Sequence, residues 1–241
     1  MAELVPETPR ATSIVLELPS WTGHLAGQHV DVRITADDGR QAQRSYSIAS
    51  APEDGIVVLT VERVPGGRVS RYLAGNLRTG DQLELRGPLG GSFVLDDSAP
   101  EPALFIAEGP GIAPFRSMLR HRRAASGDVP VRLLYAAASL QDMIYRDELM
   151  RFAAYDEVDI RLAVTREWPQ TWHGHRGPID GRLLAQVSWP AADGPRIFIC
   201  GPSCFAETVA RTLAAQGHLA DRIKTERFWS AVNRADEGSS A

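Results

Sequence analysis

The sequence predicts a two-domain protein, in which an antiparallel β-barrel is followed by an α/β domain built on a parallel sheet. Up to residue 98, short apolar runs are separated by Gly, Pro and Asp, which is typical of closely spaced antiparallel strands. From Glu101 onward, apolar strands alternate with helical segments, and this rhythm favours a parallel sheet covered by helices on both faces. The proline-bearing segment Ser98–Pro102 marks the join. We therefore predict domains over residues 1–98 and 99–230, with a flexible polar tail over 231–241.

The predicted elements follow from these runs. In the first half, strands are expected over Thr12–Leu18, His29–Ala36, Gln41–Ser50, Gly55–Val64 and Asp81–Gly87, and a short helix over Val69–Leu77. In the second half, strands are expected over Ala103–Ala107, Val131–Ala138, Ile160–Val164 and Arg196–Cys200. The helices between them are expected over Phe115–Ala125, Tyr145–Ala154 and Ala206–Gln216.

The composition excludes several classes of protein. Of the 241 residues 23% are charged, and the formal net charge is −4, so no nucleic-acid or anionic-membrane partner is expected. No apolar run approaches the about 20 residues that a membrane-spanning helix needs. The start Met1–Pro6 lacks the features of a signal peptide, which favours a cytoplasmic location. No heptad or apolar stripe indicates an oligomer, so a monomer is the default.

The two cysteines, Cys200 and Cys204, cannot form a disulfide framework or supply the four thiolates of an iron–sulfur cluster. We expect two reduced, mostly buried thiols rather than a redox-active pair. His173 and His175 lie in a loop-like stretch with no third ligand nearby. No metal site is therefore predicted.

The segment Arg44-Ser45-Tyr46-Ser47 is the most informative motif in the chain. On a strand, Arg44 and Tyr46 share one face and the two serines share the other. A flavin nucleotide needs a guanidinium for its phosphates, a flat aromatic ring to stack on and small hydroxyl groups near its ring edge. The alternative is an ordinary strand with an exposed arginine and a half-buried tyrosine.

A second candidate site begins at Gly67. The run Gly67-Arg68-Val69-Ser70 can form a tight turn that opens a helix, whose free N–H groups point at an anion. Ser70 can cap that helix or reach a phosphate group, and Arg68 or Arg71 can add positive charge. Taken alone, the run also fits an ordinary capped helix that follows a loop.

A third candidate is the turn Gly109-Pro110-Gly111, which follows an apolar strand and precedes Ile112, Ala113 and Pro114. Doubly wound folds hold nucleotide phosphates at such a strand–turn–helix junction. Pro114 fits the first turn of the helix. Close packing between strand and helix is the alternative explanation for the glycines.

Two further strands end in polar or small residues that belong to the same predicted sheet edge. Cys200-Gly201-Pro202 ends one strand, and a thiol at this position can approach a planar ring closely; an inert buried cysteine is the alternative. Thr165-Arg166 ends another strand. Arg166 either meets a ribose 2′-phosphate or is solvated.

Taken in order, these motifs resemble the ferredoxin–NADP⁺ reductase superfamily, in which an FAD-binding β-barrel precedes a pyridine-nucleotide domain. The resemblance runs from Pro9 to Phe228. It implies that Arg44 binds the FAD pyrophosphate, that Tyr46 contacts the flavin and that Ser47 lies near its reactive N5. It also implies that Cys200 places the nicotinamide ring of NADP(H) or NAD(H). Residues carried over are, for catalysis, Ser47, Cys200 and Glu226, and for cofactor binding Arg44, Ser45, Tyr46, Ser47, Val61, Arg63, Gly67, Arg68, Val69, Ser70, Gly109, Gly111, Ile112, Ala113, Pro114, Thr165, Arg166, Cys200, Gly201, Pro202, Phe228 and Trp229.

The sequence departs from the family pattern at the nucleotide turn. Glu108 stands where a glycine is usual, and Pro110 replaces a usual Thr, Ser or Ile. A carboxylate next to a phosphate-binding turn would repel the nucleotide if it pointed inward.

The function implied is an FAD-dependent oxidoreductase that takes hydride from NAD(P)H and passes electrons to a separate ferredoxin, haem or Rieske protein. The alternatives are a reductase of free flavin, quinone or another small acceptor, and a non-catalytic subunit that binds flavin or nucleotide. Phe228 or Trp229 is a candidate for covering the flavin.

Overall fold

The computed structural model describes residues 1–35, 39–96, 98–127, 129–155 and 158–228. These residues form two compact units. The first contains residues 1–95 together with the helix Ala113–Ala124, and the second contains residues 96–112 and 125–228. The predicted tail over 231–241 lies outside the described residues.

The first unit is built from six antiparallel strands and two helices. Its elements are β1 (Glu3–Pro6), β2 (Ala11–Leu16), β3 (His29–Thr35), β4 (Gln41–Ser47), β5 (Val57–Glu62), α1 (Arg68–Gly75), β6 (Glu84–Leu89) and α2 (Ala113–Ala124). The strands form two three-stranded sheets, with the orders β1-β2-β5 and β4-β3-β6. A bridge between Ile48, just after β4, and Leu59 on β5 links the two sheets.

One hydrophobic core fills this unit. Apolar residues that alternate along β2, β3 and β5 point into it, as a half-buried antiparallel strand requires. Fully buried members include Ile14, Val32 and Leu59. Strand β4 is different, because it contributes only Ala42 and Tyr46 to the packing and exposes most of its polar residues.

Helix α2 packs within this first unit through several contacts. The Phe115 ring lies against Phe93, with 5.8 Å between the ring centroids. Ser117 Oγ donates to the Ser50 carbonyl at 2.6 Å, in a buried position, and Arg120 pairs with Asp54 at 3.1 Å. The helix therefore groups with the strand unit, although the sequence places it after the predicted join. The division of the chain at residue 98 stays a prediction.

The second unit is a six-stranded parallel sheet with helices. Its elements are β7 (Ala103–Glu108), β8 (Val131–Ser139), α3 (Arg146–Tyr155), β9 (Asp159–Glu167), β10 (His175–Arg176), α4 (Gly181–Val187), β11 (Arg196–Pro202), α5 (Ser203–Ala215) and β12 (Ile223–Phe228). The strand order is β10-β9-β8-β7-β11-β12, and every pair is parallel. The carboxyl ends of all strands therefore meet at one edge, and the order reverses between β7 and β11.

These observations confirm the predicted fold class of antiparallel strands followed by a parallel α/β sheet. The predicted strands and helices are present, with ends that shift by up to three residues; the expected strand Gln41–Ser50, for example, ends at Ser47. Four elements were not predicted from the sequence: β1, β10, α4 and β12. Strand β12, Ile-Lys-Thr-Glu-Arg-Phe, has four consecutive polar residues and so lacks an apolar run; within the described residues it is an edge strand that pairs with β11.

Within the described residues, no helix combines the length and the apolar character needed to cross a membrane.

A buried arginine fastens the segment that precedes β7. Arg196, at the start of β11, is only 8% exposed and donates to the carbonyl oxygens of Asp96 at 2.5 Å, Ala99 at 3.3 Å and Glu101 at 3.2 Å. A buried guanidinium is stable only when its donors are satisfied, so these carbonyls and Arg196 depend on each other. Arg222 adds an ion pair with Glu101 at 2.8 Å.

We predict that Arg196→Ala lowers the free energy of unfolding by about 3 kcal/mol, because it leaves several carbonyls without their donor. The measurement is the urea midpoint by circular dichroism. Arg161→Ala is the matched control: Arg161 is exposed and pairs only with the nearby Asp159, so a loss below about 1 kcal/mol is expected. Equal midpoints for the two variants would contradict the fastening role.

Candidate cofactor sites

Strand β4 presents the first group of predicted site residues. Arg44 is exposed, and its Nη1 donates to the Gln43 carbonyl at 2.7 Å, which leaves the rest of the guanidinium free to bind an anion. Tyr46 is half-buried and packs against the core cluster that contains Val61 and Val69. Burial raises the pKa of Tyr46 to about 12, with Arg44 acting in the opposite direction. The tyrosine is therefore a neutral, fixed ring beside a cationic side chain.

The two serines of the motif differ in their surroundings. Ser45 Oγ donates to the Asp31 carboxylate on the neighbouring strand β3 at 2.6 Å, so it fastens β4 to β3. Ser47 is half-buried at the end of β4, opposite His29. The placement of the Ser47 hydroxyl group near a bound flavin ring therefore stays a prediction. No sequence pattern indicated the Asp31 contact, because the two residues are brought together only by the sheet register.

Helix α1 supplies the second group. Gly67 stands at the N-cap in an extended conformation, with no side-chain capping bond, so the first N–H groups of the helix are open to an anion. A β-carbon at Gly67 would lie 2.5 Å from Ser70 Oγ, which is closer than any real contact. Ser70 Oγ accepts from the backbone N–H of Val64 at 3.3 Å and so holds the turn closed. Glycine is therefore required by the space that Ser70 occupies.

The residues of the first unit fit a bound FAD. An uncapped helix start and the Arg44 guanidinium suit two phosphate groups, and α1 contacts both β4 and β5. Val61 is buried near the end of β5, and Arg63 directly follows that strand. Arg68 is exposed in the first turn of α1. Within the described residues, the side chains of Arg63 and Arg68 form no hydrogen bond or ion pair, so their charge is available to phosphates.

The turn after β7 is shaped by two glycines for different reasons. Gly109 has φ of +55°, a left-handed conformation that favours glycine. At Gly111 a β-carbon would lie 2.2 Å from the Cys200 carbonyl oxygen and 3.0 Å from the Gly201 nitrogen. The turn Gly109–Ile112 thus lies directly against the end of β11, and Ile112, Ala113 and Pro114 are buried.

The end of β11 brings together Cys200 and Glu226, which were both predicted as catalytic. They are register partners on the adjacent strands β11 and β12. Burial raises the pKa of the Cys200 thiol well above its ordinary value, and the Glu226 carboxylate adds to this shift. Cys200 is therefore a neutral thiol. Cys204, one turn further along, is exposed, so the expectation that both thiols are buried is wrong for Cys204.

The remaining residues of the sheet edge lie on β7, β9 and β12. Thr165 Oγ1 donates to the Ala137 carbonyl at 3.3 Å, and Arg166 is exposed beyond it. Burial raises the pKa of Glu108 at the end of β7, and the Arg166 charge opposes this shift. Phe228 ends β12 opposite Pro202 and is half-buried. Trp229 lies outside the described residues.

One contact in this region was not anticipated from the sequence. A β-carbon at Gly201 would lie 2.5 Å from the ring of Phe205 and 3.4 Å from the Glu108 β-carbon. The space of a side chain at Gly201 is thus filled by the first turn of α5 and bordered by the end of β7. Neither neighbour follows a motif, because both arise from the packing of strands and helices. The second unit has the glycine turns and the strand reversal that suit a dinucleotide.

Comparison with known proteins agrees with both sites. The chain matches the family model "Oxidoreductase FAD-binding domain" over residues 9–93 and "Oxidoreductase NAD-binding domain" over residues 105–211. It is 33% identical over 205 residues to the glycine betaine monooxygenase reductase subunit of Pseudomonas aeruginosa, which covers 84% of this chain and 55% of that one. It is 37% identical over 182 residues to ferredoxin–NADP reductase B of Sorangium cellulosum, with 73% of each chain covered.

A solved structure agrees with the fold. The ferredoxin reductase in carbazole 1,9a-dioxygenase superposes with a TM-score of 0.81 at 26% identity, over 95% of this chain and 68% of that one. The chain spans about half the length of the first curated relatives that it matches.

The fold and the two glycine-built sites define a two-domain oxidoreductase that binds FAD and a pyridine nucleotide. More particularly, the chain belongs to the ferredoxin–NADP⁺ reductase superfamily. The predicted family, fold, cofactors and enzyme class are thereby confirmed. The individual site residues stay predictions.

We predict that Gly111→Ala weakens NADP⁺ or NAD⁺ binding by about tenfold or more, because its methyl group displaces the turn from the Cys200 carbonyl. FAD content stays unchanged, since the FAD residues lie in the other unit. Isothermal titration calorimetry measures the affinity. Gly91→Ala is the control, since a β-carbon there meets nothing within 4 Å. Unaltered affinity in Gly111→Ala would contradict a close-packed turn.

Proposed function

We propose that the protein takes a hydride from NAD(P)H onto FAD and passes the electrons to a separate acceptor protein. The observation that supports this most strongly is the presence of two glycine-built phosphate sites in one chain. One is the uncapped start of α1 at Gly67, and the other is the Gly109–Ile112 turn. FAD, when bound, supplies the chemistry that accepts a hydride and releases electrons.

In this proposal, the residues of the first unit hold and orient the flavin. Arg44 and the first N–H groups of α1 bind the pyrophosphate. Tyr46 offers a flat face whose position is fixed by its packing against the core. Ser47 provides a hydroxyl group near the reactive edge of the ring. Because Tyr46 stays protonated far above neutral pH, this surface does not add negative charge beside the flavin.

The residues of the second unit position the nucleotide. The turn Gly109–Ile112 holds the phosphates, and Arg166 meets the ribose at the adenine end, which leans toward NADPH because a guanidinium suits a 2′-phosphate. Cys200 places the nicotinamide ring. A buried, neutral thiol suits this task, since it gives close contact without a charge along the path of the hydride.

The cysteine content supports an electron acceptor on a separate protein. The two cysteines cannot ligate a four-thiolate cluster, so within these 241 residues the FAD has no iron–sulfur acceptor. The relatives are named as a reductase subunit of a monooxygenase and as a ferredoxin reductase in a dioxygenase. These names support a ferredoxin, Rieske-type or haem protein as the acceptor. Location in the cytoplasm stays a prediction.

Anaerobic stopped-flow absorbance with NADPH and, separately, NADH tests the proposal. We expect a yellow protein whose flavin band bleaches rapidly with at least one nucleotide. Mixing the reduced protein with a ferredoxin, and in parallel with free FMN, then shows which acceptor is reduced faster. A colourless protein that FAD cannot reconstitute, or a flavin that neither nucleotide reduces, refutes the function. Faster turnover with FMN refutes the protein acceptor alone.

We predict that Arg44→Ala loses FAD during purification, with an affinity lower by about tenfold or more, because a charge-assisted contact to phosphate is removed. The measurement is the ratio of flavin to protein absorbance, followed by calorimetric titration of FAD into apoprotein. Arg86→Ala, on the opposite edge strand of the same sheet, serves as the control and keeps its FAD. Full FAD occupancy in Arg44→Ala excludes a pyrophosphate role for this side chain.

A further inference from the structure

Glu108 is a half-buried carboxylate at the junction of β7 and the Gly109–Ile112 turn. It is the last residue of β7 and pairs in register with Ala136 on β8. Among the residues that the structure describes, its carboxylate accepts no hydrogen bond and forms no direct ion pair. A carboxylate in such a position is costly unless it is neutralised or gains a partner.

The walls around Glu108 offer little compensation for a negative charge. Gly201 on β11 lies against its β-carbon, and the Phe205 ring also lies close to that glycine. Arg166 on β9 is the opposing charge. On β11 and β12 the titratable groups are the neutral thiol of Cys200, the Glu226 carboxylate and the side chains of Arg196, Lys224 and Arg227. Arg196 lies at the opposite end of β11, and Arg227, the register partner of Gly201, pairs with Glu207 at 2.8 Å. Neither β8, which contributes Ala136 here, nor the turn contributes a charged side chain.

A bound dinucleotide would make an ionised Glu108 still less favourable. Its pyrophosphate carries two negative charges, and the turn that begins at Gly109 is the place proposed for it. At a separation on the order of 10 Å in a partly desolvated site, an ionised carboxylate and a phosphate repel enough to change affinity by about tenfold. Protonation of Glu108 removes that repulsion. It also releases Arg166 from an intramolecular attraction, so that the guanidinium is free for the nucleotide.

We propose that Glu108 links pyridine-nucleotide binding to the uptake of a proton by its carboxyl group. This rests on the proposed function in one respect, namely that the Gly109–Ile112 turn binds the nucleotide phosphates. Glu108 acts on the nucleotide by its charge and on Arg166 by the attraction that it gains or loses.

The sign of the pH dependence follows from the charges. Burial already raises the pKa of Glu108 in the free protein, and an anionic ligand raises it further. Between these two pKa values, binding takes up a proton, and affinity falls as the pH rises. Below both values the carboxyl is neutral in the free and bound states, and affinity is highest and constant. Above both, affinity is lowest and again constant.

Calorimetry of the FAD-loaded, oxidised protein tests this without turnover. NAD⁺ and NADP⁺ are titrated from pH 5 to 9 in two buffers of different ionisation enthalpy, which gives the number of protons bound with each nucleotide. A tenfold change in affinity corresponds to a pKa difference of about 1 between the free and bound states, so we expect the wild type to take up at most about half a proton, between the two pKa values, and Glu108→Gln to take up none. The variant should bind about tenfold more tightly than the wild type at the alkaline end.

Glu167→Gln is the matched control, because it removes the same charge from an exposed side chain at the end of β9. It should keep the proton uptake of the wild type. Equal FAD content and thermal midpoints show that the variants are folded. Wild-type binding without proton uptake, or unchanged uptake in Glu108→Gln, overturns the proposal. Weaker binding of Glu108→Gln at every pH also overturns it, since the carboxylate would then be a hydrogen-bond acceptor for the nucleotide.

Failure of the proposed nucleotide site and failure of the Glu108 proposal give different results. If neither nucleotide binds the wild type at any pH, the nucleotide site itself is wrong, and the inference about Glu108 falls with it. If NAD⁺ or NADP⁺ binds without proton uptake, and NADH or NADPH reduces the flavin in the stopped-flow experiment, the function stands and the role of Glu108 is refuted.

Discussion

The close approach of the Gly109–Ile112 turn to the end of β11 is the constraint on which the nucleotide site depends. The strand order places β7 beside β11, and each strand enters its turn at the same edge of the sheet. A single β-carbon at Gly111 would collide with the Cys200 carbonyl, so the two turns form one surface rather than two separate loops. The backbone position of Cys200 is therefore fixed by packing against Gly111. Its side chain takes no part in that contact, so a small, neutral group can stand there.

In the first unit, polar contacts and one glycine hold the residues proposed to bind FAD. A strand that binds a charged cofactor cannot bury alternate residues fully, and β4 accordingly gives only Ala42 and Tyr46 to the core. Its position is recovered by polar contacts to the next strand, such as the bond from Ser45 to Asp31. The helix start at Gly67 is shaped by Ser70 from within the same turn. Both proposed phosphate sites thus have a glycine where a neighbour already fills the space of a side chain.

Local patterns predicted much of this fold, because apolar runs mark buried strands and glycine turns mark their ends. Gly111 and Cys200 were predicted from such patterns, since one follows and the other ends an apolar run, whereas Arg44 was predicted from the polar motif Arg44–Ser47. The sequence did not reveal β12, because its four central residues are all polar and an edge strand needs no apolar run. It also did not reveal Phe205 beside Gly201. Such contacts depend on how distant segments pack, and no local periodicity encodes them.

The distribution of charge separates the two carboxylates at the sheet edge. Burial raises the pKa of the Cys200 thiol, and the neighbouring Glu226 carboxylate raises it further, which suits the proposed contact of this thiol with the nicotinamide ring. Glu108 stands beside the proposed phosphate site at the same edge, where a fixed negative charge would oppose the ligand. A carboxylate with this position is compatible with nucleotide binding only if its charge can be removed or matched. The raised pKa of Glu108 makes removal of its charge by protonation easier, and Arg166 supplies an opposite charge that can match it. The residue that departs from the family pattern is thus compatible with a nucleotide site.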